Sequence, residues 1–317
     1  MKKIDISIII PTYKREAILC KTIESIIQEI LYAEHHGIFC ELIIVDQTKQ
    51  HSEQSTNEFL KKVSEKDFIT YIFCDVPNLP NARNVGINYA QGTYILFLDD
   101  DVLLDKKFIT NCFNTYVNQQ CDAVVGRITL CNDYDNNILL EDTKGLKRIV
   151  RFILFYLLGK NKAGVITKYG IILGNYTILH SGFTDCGRGC CMSFKRSIFD
   201  NIGKFDTNYI GNAIREETDF FFRMKQMKLS IYYNKDIHLY HLMANTGGTR
   251  TDKNKEYWKT YFFNQTYFYL KNFRFSVYTI AFILIFDVIK CYKRKINAIQ
   301  LVKEGVKRAK RILHSIN

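Results

Sequence analysis

Apolar and polar positions alternate along this chain in a regular order. Ile6 to Ile10 is a β-branched run stopped by Pro11-Thr12, which predicts a first buried strand with the chain turning at its carboxyl end. Thr22 to Ile30 carries Ile23, Ile26, Ile27 and Ile30 at helical spacing. Glu41 to Val45 predicts a second strand, ended by Asp46. A helical stretch over Ser52 to Ser64 and a third strand over Ile69 to Cys74 follow. Pro80 to Asn84 opens the next helix, with proline in its first turn, and Gly92 closes it. The fourth strand, Tyr94 to Leu98, runs into three carboxylates, Asp99, Asp100 and Asp101. Strand–helix alternation at this spacing predicts an α/β fold with a doubly wound, mainly parallel sheet and helices on both faces. Right-handed crossovers then bring Thr12, Asp46 and Asp99–Asp101 to one crevice beyond the strand ends.

The second half is less regular. Lys106 to Val117 reads as helix and Ala123 to Leu130 as strand. Asn132 to Asn137 reads as a turn, and Arg148 to Gly159 as a core or interfacial helix. Gly187 to Phe194 is a glycine-flanked strand, and Ser197 to Asn201 a short helix ended by Gly203. Arg215 to Met227 (REETDFFFRMKQM) is an amphipathic helix with Glu216 and Glu217 in its first turn. Asp219 and Arg223 are spaced to pair on one face. Ser230 to Tyr233 and Ile237 to Tyr240 predict two more strands, followed by His241, and Asn245 to Arg250 is a glycine loop. Tyr257 to Phe275 is rich in aromatics, and Val277 to Phe286 is apolar on all sides, so that segment is either buried or in contact with lipid. The organisation expected is 1–118 for a first half, 119–250 for a second, and a helical, basic 251–317.

At 317 residues, 47% hydrophobic and 24% charged, the chain is long enough for a sizeable core, and its composition excludes global disorder. The net charge is +12. From Lys290 to Asn317 there are nine Lys/Arg against one acid, Glu304, which is 9 − 1 = +8 and leaves +4 for the rest. A basic tail behind an apolar segment points to an anionic membrane surface and away from nucleic acid. The two together make a peripheral anchor, the other reading being a helix docked on the main domain. No apolar run reaches transmembrane length. The first residues do not read as a signal peptide, and the 10 cysteines show no zinc-like pairing, so reduced thiols in the cytoplasm are expected.

Three like charges at one strand end repel each other, and burying them unpaired is costly. A divalent cation removes that cost. Mg²⁺ and Mn²⁺ favour oxygen ligands, and Mg²⁺ is usually shared between carboxylates and substrate phosphates. Lys14, Arg15 and Arg83 supply cations around the same crevice, Arg83 at a helix start that already favours anions.

The ordered set ISIIIPTYKRE, LIIVDQT, NLPNARNVGI, YILFLDDDV, GRGCCMSFKRSIFDNIGKFD, REETDFFFRM and HLMANTGGTR resembles the family-two glycosyltransferases of the GT-A fold over roughly residues 4–250. The resemblance implies an inverting transferase that takes a nucleotide-diphosphate sugar and Mg²⁺ or Mn²⁺. Carried over residue by residue, Pro11, Thr12 and Arg15 border the nucleotide, and Asp46 meets its base or ribose. Arg83 lies near base and phosphates, and Arg250 joins this donor-binding set. Asp101 binds the metal, with His241 completing the site. Asp99 lies near ribose or metal, and Asp100 is ambiguous because the motif is a triple. In Glu216-Glu217-Thr218-Asp219 the second acid is the expected base, Glu217, with Asp219 and Glu216 as further candidates. Cys191 stands where many relatives have Asn. The Q-x-x-R-W motif of processive synthases is missing, so a single addition is implied, to a glycan or lipid-linked acceptor in cell-surface polysaccharide assembly. A sugar nucleotidyltransferase is the alternative, although PTYKRE lacks the glycine-rich loop it needs. A catalytically silent membrane-associated scaffold is the other.

Overall fold

The computed structural model describes residues 3–131, 162–242, 244, 247–248, 255–273 and 275–316. The turn at Asn132 to Asn137, the helix at Arg148 to Gly159, and Arg250 lie outside the described residues.

The four predicted parallel strands are β1 (Ile6–Thr12), β2 (Cys40–Asp46), β3 (Ile69–Phe73) and β4 (Tyr94–Leu98), joined by α1 (Ala17–His35), α2 (Gln54–Val63) and α3 (Leu79–Tyr89). β1 and β2 are buried at every residue, as continuous apolar runs require when both sheet faces are covered. Asn78 caps α3, its side chain accepting from the Asn81 amide, and Pro80 sits in the first turn where no donor is lost. The chain continues through β5 (Val102–Leu104), α4 (Phe108–Gln119), β6 (Ala123–Leu130), β7 (Gly164–Ile166), β8 (Ile172–Gly174) and β9 (Gly182–Thr184). It then enters β10 (Cys191–Lys195), α5 (Ile198–Ile202), α6 (Glu216–Gln226) and β11 (Ile231–His241).

Among the described residues the main sheet has nine strands, in the order β3-β2-β1-β4-β10-β6-β11-β5 with β9 against β11. β3, β2, β1 and β4 are mutually parallel, and β10 is antiparallel to both β4 and β6. The two strands expected at 230–240 are one, β11, parallel to β6 with a register break between Asn234 and His238. The register places the site. Thr12 pairs with Asp46 and Asp46 with Phe73, so these strand ends are level. Cys191 opposes Leu98, so the loop leading into antiparallel β10 emerges beside Asp99. His241, at the end of β11, opposes Val102.

One apolar core fills the space around the sheet, with Phe97, Phe194, Phe199, Phe205 and Phe220 in edge and stacked contacts at ring separations of 4.7–6.1 Å. A second core is built from α7 (Lys255–Phe273), α8 (Val277–Ile283), α9 (Ile285–Lys293) and α10 (Ala298–Ile316), together with Tyr209. Here α10 lays Leu301, Val302, Val306 and Ala309 inward and turns Lys303, Lys307, Lys310 and Arg311 outward. The 277–286 stretch is two-sided in the structure: Ile280 and Leu284 are buried, and Phe282 is 77% exposed.

Candidate active site

Asp99, Asp100 and Asp101 leave the end of β4 in three directions. Asp101 is buried and accepts from the Ala244 backbone N–H at 3.0 Å, and His241 Nε2 lies 2.9 Å from its other oxygen. Asp99 is about one third exposed and sits 3.9 Å from the same imidazole nitrogen. Asp100 faces Arg15, whose Nε donates to it at 3.0 Å while Nη2 reaches Asp101 at 3.4 Å. Burial pushes the Asp100 carboxyl up, and Arg15 works against that rise. One oxygen each from Asp99 and Asp101 and a nitrogen of His241 lie within 4.8 Å of one another. Two carboxylates and an imidazole on rigid strand ends form a donor set that fits a divalent cation and leaves positions for phosphate oxygens. Burial disfavours a charged His241, but Cys190 and Asp101 beside it hold its pKa well above the usual imidazole value. A cation held here would have to displace a proton from this imidazole.

Two cavities meet over this cluster. The smaller, about 320 Å³, is lined by Pro11, Thr12, Tyr13, Arg15, Gln47, Asn78 and the three aspartates. The larger, about 610 Å³, is lined by Arg83, Tyr176, Gly187–Cys190, Glu216, Glu217 and residues of α7–α9. Leu79, Asp99 and His241 belong to both walls.

Asp46 does not line either cavity. Its carboxylate is wholly buried and accepts from the Thr48 N–H at 2.8 Å and the Tyr71 hydroxyl at 2.7 Å, with His51 Nε2 also at 2.7 Å. It braces the β2 end, and its neighbour Gln47 faces the smaller cavity, bonded to the Asn78 N–H at 2.6 Å.

The three acids of α6 part company in the same way. The helix starts from Arg215, which has a left-handed φ of 81°. That conformation is held from α7: Arg215 donates to Gln265 at 2.8 Å and to the Tyr269 hydroxyl at 3.0 Å, and its guanidinium lies 5.0 Å from the Phe268 ring centre. Glu216 is buried against Arg83. Arg83 is also buried, donates to the Gly189 carbonyl at 3.3 Å and sits 3.7 Å from Asp99. Burial lowers its pKa, with Asp99 and Glu217 nearby opposing that. A side chain at Gly189 would lie 2.7 Å from the Arg83 guanidinium, so glycine is what lets this backbone approach. Glu217 is half-buried, lines the larger cavity, and makes no hydrogen bond or ion pair among the described residues.

Asp219 is the third of these acids. It is fully buried away from both cavities and accepts from Tyr209, Arg223, Lys271 and Asn272 at 2.9–3.2 Å. Four donors make it the rivet between α6 and α7. Asp219→Ala is expected to lower the unfolding free energy by about 3 kcal/mol, since it strips a buried anion from its cations. Transfer should persist at temperatures where the variant stays folded. Native denaturant stability with abolished transfer would return Asp219 to the catalytic set.

Sequence reasoning passed over Gln47, Asn78, Arg188, Arg215, Tyr176, Gln265 and Tyr269. The pattern carried one signal, the N-capping asparagine of NLPN. The others become visible only when the loop before β10 and the α7 face close on the cavity.

A mainly parallel sheet with helices on both faces and an acid- and histidine-lined crevice over its strand ends is the architecture of the GT-A-type glycosyltransferases. The solved structure titled as GalNAc-T7 with UDP, GalNAc and Mn²⁺ superimposes with a TM-score of 0.58 over 84% of this chain and 50% of that one, at 13% identity, a likeness of fold alone. The chain belongs to glycosyl transferase family 2, whose model matches residues 7–203. GlyA, a glycosyltransferase of Streptococcus pneumoniae serotype 4, is 27% identical over 174 residues, 49% of this chain and 24% of that protein. The minor teichoic acid biosynthesis protein GgaB of Bacillus subtilis is 34% identical over 112 residues, 35% of this chain and 12% of that one. The poly(ribitol-phosphate) beta-N-acetylglucosaminyltransferase TarP of Staphylococcus aureus is 26% identical over 127 residues, 40% of this chain and 37% of its own. The matched part of this chain thus corresponds to well under half of each of these relatives.

Proposed function

We propose that the protein is an inverting, divalent-metal-dependent glycosyltransferase. It would move one sugar from a nucleotide-diphosphate sugar to a hydroxyl of a cell-surface polysaccharide or its lipid-linked precursor, working at the inner face of the membrane. The observation that carries this is the position of Glu217, which makes no hydrogen bond or ion pair among the described residues, on a cavity wall that also holds Asp99 and His241. The relatives named for teichoic acid and poly(ribitol-phosphate) chemistry support the acceptor class.

In this reading the smaller cavity takes the nucleoside and the larger one the donor sugar and acceptor. Asp99, Asp101 and His241 would hold Mg²⁺ or Mn²⁺, which supplies charge neutralisation for the leaving diphosphate. Arg15 balances Asp100 and Asp101, and Arg83, held by Glu216 and Gly189, directs positive charge toward Asp99. Glu217 takes the proton of the acceptor hydroxyl as its oxygen attacks the anomeric carbon and the bond to the diphosphate breaks. With Glu217 as base and no enzyme nucleophile in the scheme, a single displacement inverts configuration.

A thermal-shift panel of UDP-, GDP- and dTDP-sugars with and without Mn²⁺ tests the donor half. One nucleotide is expected to raise the melting temperature, and only with metal. Product of the opposite anomeric configuration tests the displacement. Pyrophosphate release from a nucleoside triphosphate and a sugar 1-phosphate would overturn the reading in favour of a nucleotidyltransferase.

A further inference from the structure

The α8–α9 pair exposes an apolar stripe that no described residue covers. Tyr278, Phe282, Ile285, Phe286, Ile289 and Tyr292 recur every one to four residues, and all are solvent-facing, from 37% exposed at Phe286 to 87% at Tyr278. The opposite side of the same helices is anchored by Ile280, Leu284 and Cys291 in the second core. Contiguous exposed apolar surface of this kind marks an interaction site. Lys290, Lys293, Arg294 and Lys295, all exposed, lie among and just after the last residues of the stripe. Ile283, Leu284 and Phe286, at the junction of these helices, form part of the wall of the larger cavity, which Glu217 also lines.

We propose that this stripe seats on an anionic bilayer surface, and that the seat brings the rim of the larger cavity to the lipid, so that the acceptor is a glycan carried on a lipid tether. The second half of this statement rests on the transferase reading above. No helix among the described residues is long and apolar enough to cross a membrane, so the contact is with the interface. Aromatic and aliphatic side chains beside lysines and arginines are the composition of an interfacial helix on anionic lipid. A second copy of the chain fits poorly as occupant. A two-fold contact over the stripe would set Lys290, Lys293, Arg294 and Lys295 against their own images, where like charges repel. A tethered acceptor held at this surface also reaches the cavity at raised effective concentration.

The test uses the full chain with vesicles of phosphatidylcholine alone or with phosphatidylglycerol. Sedimentation with the anionic vesicles and not with the neutral ones is expected. Each cation near such a surface strengthens binding about fivefold, so replacing Lys293, Arg294 and Lys295 with Gln is expected to weaken it about a hundredfold. Tyr278→Glu with Phe282→Glu should abolish it, with far-UV circular dichroism and melting temperature unchanged. Trp258 is buried, which leaves room for a second reporter. Phe282→Trp should be quenched by brominated lipid, and Tyr89→Trp, at the end of α3, should not. Glu217→Gln should bind vesicles like the wild type, so a failed transfer reading leaves the surface measurable. Wild type that stays in the supernatant, equal quenching at both positions, or a dimer that Phe282→Glu dissociates without any vesicle binding would overturn the proposal.

Discussion

Glu217→Gln is expected to lower the turnover number by about a thousandfold, the usual scale for removing a positioned general base. The amide has the shape of the carboxylate but cannot take the acceptor proton. Because Glu217 makes no hydrogen bond or ion pair among the described residues, the substitution removes no such contact among them and only its charge near Arg83. Calorimetry should therefore find donor affinity within a few-fold of wild type, with the loss confined to the chemical step in single-turnover measurements. Glu216→Gln makes an informative contrast. It leaves the buried Arg83 without its contacting anion, so both melting temperature and donor affinity should fall. Wild-type turnover in Glu217→Gln would end the base assignment, because Glu216 and Asp219 are already committed to Arg83 and to the α6–α7 junction.

Asp101→Asn is expected to weaken metal-dependent donor binding about a hundredfold, as loss of a charged ligand from a three-residue donor set should. Asparagine can still accept from the Ala244 N–H, so the loop after β11 keeps its tie and the charge is what changes. The measurement is a titration of UDP, or whichever nucleotide the thermal panel selects, with and without Mn²⁺. Binding should become weak and metal-indifferent. Asp99→Asn should follow in the same direction with less effect on stability, because Asp99 is the more exposed of the pair. Full metal-dependent binding in Asp101→Asn would remove Asp101 from the ligand set.

Asp46 and Asp219 both stand where a motif leads one to expect a ligand contact, and the structure surrounds both with donors from this chain. Tyr71, 25 positions along the chain, and His51 take up Asp46, and Lys271 and Asn272, more than 50 positions away, take up Asp219. The C-terminal segment shows the same limit. The sequence left open whether it docks on the main domain or meets lipid, and the structure has α10 docked on α7 while α8–α9 present an apolar face outward.

What the chain declares residue by residue is the set of elements and their order. Short apolar runs stopped by proline or acids become strands, 3.6-residue spacing becomes helix, and the triple aspartate sits at the end of one strand. Those features depend on neighbours a few positions apart, whereas the pairing of Asp101 with His241 was implied only by the family resemblance, and in the structure the two lie 2.9 Å apart where β11 runs beside β5. The tertiary structure alone decided that β10 runs antiparallel and delivers Gly189 to Arg83, that Glu216 is taken up by Arg83 while Glu217 lines the larger cavity, and that α7–α9 wall that cavity. Each of these depends on which charges and surfaces distant segments bring together, and desolvation and ion pairing are properties of that assembled environment.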